Sequence, residues 1–164
     1  RQADNSFDLS GPEPAPVDDA KHPSGASLAS LKGIVVDNTQ ARLTGKWIAG
    51  SNLAHVGADY AYARGAGHTA AFGFSVPTAG RYEVRFATAP HENRASNTAV
   101  AVRHAGGVTP VTVNQKQPGK IDDRWVSLGV FSFAAGTPYA VEVDAAQANG
   151  NAHIDAVQVL PAAN

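Results

Sequence analysis

The sequence predicts an all-β fold, a two-sheet β-sandwich or jelly roll preceded by an extended Pro-rich N-terminal arm. The first observation is the choice of aliphatic residues, with 17 Val against 7 Leu and 4 Ile and no Met, which favours strands over a helical bundle. The second is the presence of 16 Gly and 10 Pro, which is typical of short strands joined by turns. The third is the length of 164 residues, which suits a single domain of about nine such strands.

Residues 1–32 are predicted to form an extended arm or linker. Pro12, Pro14 and Pro16 alternate with Glu13 and Ala15, a spacing that favours polyproline II and excludes a central strand. Residues 1–24 carry two basic and five acidic side chains, whereas residues 25–164 carry eleven basic and nine acidic ones. The arm therefore has a net charge of −3 and the body +2. Two interpretations follow: a linker within a larger protein, or a segment held by its own body or by a neighbouring copy.

The body, predicted at 33–161, divides into short consecutive strands. Apolar or alternating segments predict strands at 33–37, 60–62, 69–76, 81–86, 100–103, 111–113, 125–133, 139–143 and 154–160. Segment 81–86 alternates most clearly, so Tyr82, Val84 and Phe86 are expected to face the core. The Ala105–Gly107 segment predicts a hairpin turn. No amphipathic helix longer than one or two turns is predicted.

Composition excludes several classes of function. The net charge of −1 comes with no basic stripe, so no nucleic-acid partner is expected. The absence of Cys excludes disulfides, thiolate metal sites and cysteine nucleophiles. No apolar segment reaches the roughly 18 residues of a membrane span, so none is predicted.

Motifs for cofactors and metals are weak. The Gly65–Ala70 segment matches a dinucleotide fingerprint formally, but a strand pattern rather than a helix follows it, so it is interpreted as a turn. None of the six histidines lies two or four residues from another, so neither a metal site nor a cofactor is predicted. Asp122 and Asp123 would suit Ca²⁺ together with loop carbonyls, although adjacent acids in a turn are usually solvated.

Three aspartates, Asp37, Asp144 and Asp155, lie at predicted strand ends. Carboxylates brought together in this way form an acid–base pair in some glycosidases. Their structural alternative is turn capping or a buried hydrogen bond. Both interpretations stay open at the level of sequence, and an enzyme would need shielded carboxylates converging in a cleft.

The densest polar cluster lies at 90–97. A sugar site combines planar hydrogen-bonding side chains with an aromatic face. The predicted ligand-binding residues are His91, Asn93, Arg94, Asn97, Trp47 and Tyr60. The alternative is a structural loop, in which Arg94 packs under the sheet and the asparagines hold turn backbone.

The order of these segments resembles that of a known family, the golvesin C-terminal-like domain, also called the xanthan-lyase carbohydrate-binding-like domain. The segments that carry the resemblance are GIVVDNTQA at 33–41, GKW at 45–47, AGRYEV at 79–84, HENRA at 91–95, VTVNQ at 111–115, WVSLG at 125–129 and IDAV at 154–157. Together they cover about Gly33 to Leu160, which is essentially the whole body.

The resemblance implies a galactose-binding-like jelly-roll β-sandwich and an extracellular bacterial accessory module, often attached to lyases, peptidases or FAD-dependent oxidoreductases. It transfers no catalytic residue. The recurrent His-x-Asn-Arg loop of the family falls on His91, Asn93 and Arg94.

Two functions are therefore expected. The first is a non-catalytic module outside the cell or at its surface, for carbohydrate binding or cell-surface adhesion, whose partner is a polysaccharide or cell-surface glycan. The alternative is a structural subunit of an extracellular fibre or matrix, a homo-polymer that assembles head-to-tail through the N-terminal arm.

Overall fold

The computed structural model describes residues 26–162, and these form a β-sandwich, which confirms the predicted all-β fold. The strands are β1 (Ile34–Asp37), β2 (Arg42–Thr44), β3 (Ile48–Gly50), β4 (Tyr60–Ala63), β5 (Thr69–Phe74), β6 (Gly80–Ala87), β7 (Thr98–His104), β8 (Gly107–Val113), β9 (Trp125–Phe133), β10 (Tyr139–Asp144), β11 (Ala152–Ile154) and β12 (Ala156–Pro161). Short 3₁₀ turns occur at Leu28–Ser30 and Asn38–Gln40. No helix within residues 26–162 is long and apolar enough to cross a bilayer.

The strands form three antiparallel sheets. One has the order β1-β12-β6-β9, the second β2-β5-β10-β7-β8, and the third, smaller sheet β11-β4-β3. The first two sheets face each other and provide the walls of the sandwich. Strands adjacent in space are often distant in sequence, as for β1 beside β12 and β5 beside β10, which is typical of a jelly roll.

The main core lies between the four-stranded and five-stranded sheets. On β6, Tyr82, Val84 and Phe86 are 7%, 0% and 0% exposed, as the alternation predicts. Phe86 meets Phe72 of β5 edge to face, with ring centroids 6.5 Å apart. Full burial of each such side chain contributes roughly 1.5–3 kcal/mol, so these inward faces hold the two sheets together.

Two smaller apolar clusters lie outside the main core. One combines Tyr60 and Tyr62 of β4 with Ile48, Leu53 and Ala89. The other surrounds Trp125, which is 3% exposed, with Val56, Ala87 and Ala156. Trp125 is therefore a packing residue.

Most predicted strands and turns agree with the structure. The strand predicted at 125–133 coincides with β9, and the predicted hairpin turn joins β7 to β8, with His104 paired to Gly107. The glycine segment at 65–67 is a turn between β4 and β5. Three strands of three residues each, β2, β3 and β11, lie where the sequence predicts loop or a continuous strand. Their apolar segments are too short to show a period of two.

The predicted arm falls largely on residues 1–25, which lie outside the described residues. Its last part lies against the body: Ala26 pairs with Val56, and Leu31 packs beside the Trp125 cluster. The Lys32 carbonyl accepts a hydrogen bond from the Gln158 side chain at 2.9 Å.

Candidate functional site

The predicted polar cluster at 90–97 is a loop between β6 and β7 that folds back on itself. The Arg94 amide donates to the His91 carbonyl at 3.1 Å, and His91 Nδ1 accepts from the Asn93 amide at 3.1 Å. The Asn93 carbonyl in turn accepts from the Asn151 amide at 2.9 Å. His91 and Asn93 are half-buried, and much of their polar surface is used inside the loop.

Arg94 is fully buried, with 0% of its surface exposed. Its guanidinium carbon lies 5.3 Å from the Tyr60 ring centroid and 5.2 Å from that of Tyr62. Nη1 also donates to Asn93 Oδ1 at 3.2 Å. Cation–π contacts strengthen when the cation is shielded from water. The structure therefore brings Arg94 and Tyr60 together, but in the interior, where neither side chain reaches a ligand in solution.

Asn97 joins the loop to the segment at 146–150. Its Nδ2 donates to the Gln147 carbonyl at 3.0 Å and its Oδ1 accepts from the Asn149 amide at 2.8 Å. Asn149 Oδ1 also accepts a hydrogen bond from the Ser96 amide at 2.9 Å, and Asn149 Nδ2 donates one to the Ser96 hydroxyl at 2.7 Å. A side chain at Gly150 would place its Cβ 2.7 Å from the Arg94 carbonyl oxygen, so the two segments meet closely because this residue is glycine. The Asn97 side chain thus fixes the backbone of Gln147 and Asn149.

Trp47 lies in a different place, half-buried against the main core. Its indole N–H points at two carbonyls, those of Thr44 and Thr69, each at 3.1 Å. Both threonines line a depression on the solvent face of the five-stranded sheet. Trp47 therefore contacts the backbone of two residues of an open surface that the sequence does not single out.

This open surface, here called the sheet groove, is built from the outward residues of β2, β5, β10, β7 and β8. One in-register row across the five strands consists of Arg42, Ala71, Glu142, Ala101 and Pro110. The next row consists of Thr44, Thr69, Asp144, Ala99 and Thr112. Four inter-strand spacings of about 4.8 Å make such a row about 19 Å wide. The alanines leave a low floor between polar borders.

The sheet groove contains two adjoining depressions. The first, of about 440 Å³, ends at Thr44, Thr69 and Asp144. The second, also about 440 Å³, extends toward Gly73, Arg103 and Tyr139. Both depressions include Arg42, Ala71 and Glu142, which makes the groove continuous along the face.

An ion pair between Arg103 and Glu142 fixes the position of both side chains in the groove. Arg103 Nε donates to Glu142 Oε2 at 2.8 Å, and this hydrogen bond, with the carboxylate charge, raises the pKa of Arg103. Both side chains are exposed, so solvent screens the pair and its contribution to stability is small. The pair orients Arg103 and Glu142 without closing the surface.

The aspartates at strand ends have structural roles. Asp37 Oδ2 accepts from the amide and the hydroxyl of Thr39 and caps the 3₁₀ turn. The Asp155 carboxylate accepts the Val56 amide at 2.9 Å, and Asp144 Oδ1 accepts the Ala146 amide at 2.9 Å. Burial raises the pKa of Asp155 well above its ordinary value, and the neighbouring Asp37 carboxylate adds to that effect. Asp37 and Asp155 are 2% and 1% exposed, so a substrate has no access to them.

Metal-binding groups are sparse in the described part of the chain. Residues 26–162 contain no group of three or more His, Asp or Glu side chains placed to hold a metal ion. Asp122 and Asp123 are exposed and occupy a turn with φ of 56° and 54°, a left-handed conformation that aspartate tolerates better than most residues.

The sheet groove is not predicted from the sequence, because the predicted site rests on a dense cluster of polar and aromatic residues and the groove is formed by small ones. The signal was present as alternation: Ala71 and Gly73 on β5, Ala99 and Ala101 on β7, and Ala140 on β10 occupy the outward positions. Small outward residues on three neighbouring strands predict a depression. Only the strand order shows that these three are neighbours.

Comparisons with known proteins identify relatives of this chain. The family model for the Golvesin C-terminal domain matches residues 34–160. Xanthan lyase of Bacillus sp. (strain GL1) is 31% identical over 145 residues, which covers 84% of this chain and 14% of the lyase. A solved structure of Paenibacillus xanthan lyase matches with a TM-score of 0.73 and 32% identity, over 79% of this chain and 13% of the lyase chain. The chain thus spans a small part of the length of these relatives.

Carbohydrate-binding modules share the fold. A family 35 carbohydrate binding module from Clostridium thermocellum matches with a TM-score of 0.56 and 14% identity, over 80% of this chain and 100% of the module. The mannan binding module from Man5C matches with a TM-score of 0.54 and 13% identity, over the same shares. These matches confirm the predicted galactose-binding-like sandwich.

Proposed function

This chain belongs to the golvesin C-terminal domain family, and on that premise we propose that it is a non-catalytic carbohydrate-binding module that acts outside the cell or at its surface. The observation that carries the proposal is the sheet groove. It is an open depression with an alanine floor, in a fold shared with carbohydrate-binding modules.

The groove has the surface chemistry that a polysaccharide needs. Its floor of Ala71, Ala99 and Ala101 offers apolar contact to the CH faces of sugar rings. The hydroxyls of Thr44 and Thr69 offer hydrogen-bond donors and acceptors to sugar hydroxyls. An open groove about 19 Å wide accommodates a chain rather than a single small molecule.

The arrangement of carboxylates supports binding rather than catalysis. A glycosidic general acid needs a carboxyl group shielded from water, opposite a second carboxylate. In the groove, Glu142 is engaged by Arg103 and Asp144 is exposed. The shielded Asp37 and Asp155 hold backbone amides and hydroxyls in the interior.

The six residues predicted to bind a ligand receive different proposed roles. Trp47 remains a proposed ligand-binding residue, and its indole holds the backbone of two groove residues, Thr44 and Thr69. His91, Asn93 and Asn97 keep some exposed surface and define a second candidate face at the loop. Arg94 and Tyr60 are proposed to position that loop from beneath.

A substitution that fills the groove tests the proposal. Ala101→Ile should raise the floor at β7, an interior strand of the sheet, while keeping a good strand former. It should weaken polysaccharide binding at least tenfold, or about 1.4 kcal/mol. The measurement is affinity electrophoresis in gels that contain mannan, galactan, xylan or an acidic polysaccharide. Ser132→Ile, at an exposed position of β9 on the other sheet, is the matched control and should bind as the unmodified chain does.

Two outcomes would reject this assignment. If none of the polysaccharides retards the unmodified chain, the binding function itself is wrong. If His91→Ala removes binding while Ala101→Ile does not, the binding face is the loop at 90–97 instead of the groove.

The alternative function, a subunit of an extracellular fibre or matrix, is favoured by the charge difference between residues 1–24 and the body. An acidic segment of one copy would then dock on the body of the next, and salt would weaken that contact. Sedimentation of the full chain and of a chain that starts at residue 25 tests it. Polymers of the full chain only, dissolved by 0.5 M salt (about a 4 Å screening length), would support it, and equal behaviour of the two chains would reject it.

A further inference from the structure

Arg42, on the edge strand β2, lines both depressions of the sheet groove. It belongs to the row that continues through Ala71 to Glu142. Within residues 26–162 its guanidinium makes no ion pair or side-chain hydrogen bond, in contrast to Arg103, which Glu142 holds at 2.8 Å. An arginine with unused donors presents a planar fork that matches an oxyanion.

The other charges in the groove limit what kind of anion fits. The depression that ends at Asp144 combines Arg42 with the two carboxylates of Glu142 and Asp144. The depression toward Tyr139 combines Arg42 and Arg103 with Glu142. A densely charged polyanion would meet the carboxylates along the first depression, and like charges placed together destabilise binding. A chain with separated carboxylates and neutral sugars between them avoids this repulsion.

We infer that the sheet groove selects a polysaccharide that carries carboxylate-bearing sugars, and that Arg42 binds one such carboxylate. This inference rests on the proposed carbohydrate-binding function and adds the chemical class of the ligand. The neutral sugars next to that carboxylate would lie over the alanine floor of β5 and β7. Arg103 stays paired with Glu142 and acts as a secondary positive charge.

Matched polymers and variants test the inference. The probes are hyaluronan and gellan, in which neutral sugars separate the carboxylate-bearing ones, each beside its carboxyl-reduced form, together with neutral mannan and densely charged dextran sulfate. The proteins are the unmodified chain, Arg42→Gln, Glu142→Gln and Arg81→Gln, an exposed arginine of β6 outside the groove. Thermal melts establish that each variant is folded before binding is measured by affinity electrophoresis.

The two groove variants, Arg42→Gln and Glu142→Gln, should change the affinity for acidic polysaccharide in opposite directions. At least one acidic polymer should bind more tightly than its carboxyl-reduced form, and Arg42→Gln should weaken that binding about tenfold because a charge-assisted hydrogen bond is lost. Glu142→Gln should strengthen it about threefold, because a like charge is removed and Arg103 is released. Arg81→Gln should leave it unchanged.

Several results would overturn the inference. It is wrong if reduced and acidic forms bind equally, if Arg42→Gln has no more effect than Arg81→Gln, or if Glu142→Gln weakens binding. It is also wrong if dextran sulfate or mannan alone is bound; binding of mannan alone would leave the carbohydrate-binding function intact. If no polymer of any kind is bound, the proposed function fails as well.

Discussion

At the scale of single residues, the buried guanidinium of Arg94 decides how the loop at 90–97 is interpreted. The same position has two consistent interpretations in the sequence, a sugar ligand or a packing element. The tyrosines at 60 and 62 face the same side of β4 because strand side chains alternate, and Arg94 lies over both rings. Its burial of 100% favours a structural role.

Arg94→Ala should destabilise the fold strongly. The substitution leaves a cavity and removes two cation–π contacts, which together should lower the free energy of unfolding by about 3–5 kcal/mol. Urea denaturation measures the loss, and Arg81→Ala should change stability by less than about 0.5 kcal/mol. A stable Arg94→Ala chain that has lost polysaccharide binding would instead make Arg94 a ligand contact.

His153 is a second buried ionisable residue whose environment has a measurable consequence. It is 0% exposed, its ring lies 5.0 Å from that of Tyr60, and within the described residues neither ring nitrogen has a hydrogen-bond partner. Burial lowers the pKa of His153 well below its ordinary value, and the charges of Arg94 and His55 act in the same direction. The ring is therefore neutral in the fold.

The folded chain should lose stability as the pH falls below about 6.5, the pKa of an unfolded histidine. There the unfolded state binds a proton at residue 153 that the folded state excludes, so the slope of stability against pH approaches about 1.4 kcal/mol per pH unit for this group. His153→Leu should remove that part of the slope between pH 5 and 6.5. Asp155, with its raised pKa, acts in the opposite direction, so the difference between the two chains isolates the histidine; identical slopes would contradict the assignment.

At the scale of elements, a buried amide joins strands that the sequence leaves unconnected. Gln115, just after β8, is 0% exposed. Its Oε1 accepts from the Thr98 hydroxyl at 2.6 Å and from the His153 amide at 2.9 Å. Its Nε2 donates to the His153 carbonyl at 2.7 Å and to Thr88 Oγ1 at 3.3 Å. One side chain thus satisfies polar groups at the ends of β6, β7 and β11.

Gln115→Leu should cost about 2–4 kcal/mol of unfolding free energy, because it leaves several buried donors and acceptors unpaired. Gln117→Leu, at an exposed position of the same loop, is the matched control and should be close to neutral. The measurement is the midpoint and slope of urea unfolding for both chains. Equal stability of the two variants would show that Gln115 does not join these elements.

The elements themselves follow largely from local sequence. Strong alternation located β6, and segments rich in Val and aromatic residues located β9 and most of β10. Local sequence does not reveal the break at Asp155 that divides the last apolar segment into β11 and β12. At Asp155 the chain passes from the sheet of β11 to the sheet of β12, and the Asp155 carboxylate binds the Val56 amide, which is 99 residues away.

At the scale of the whole molecule, the two large sheets differ in what they offer to solvent. The five-stranded sheet presents alanines between Arg42, Glu142 and Asp144, which leaves a groove. The four-stranded sheet presents longer side chains, with Arg85 paired to Glu83 at 2.8 Å. The binding assignment therefore depends on which strands are neighbours, since the same residues on separated strands would form no continuous surface.

The sequence by itself determined the all-β class, the inward face of β6, the β7–β8 hairpin and the family. These depend on periodicity, turn chemistry and the order of motifs, which are local or linear properties. The tertiary structure alone decided that Arg94 and Tyr60 are interior, that Gln115 joins three strands, and that Arg42 shares a row with Glu142. The physical reason is that burial and strand neighbourhood are set by pairings between residues far apart in the chain, which no local pattern encodes.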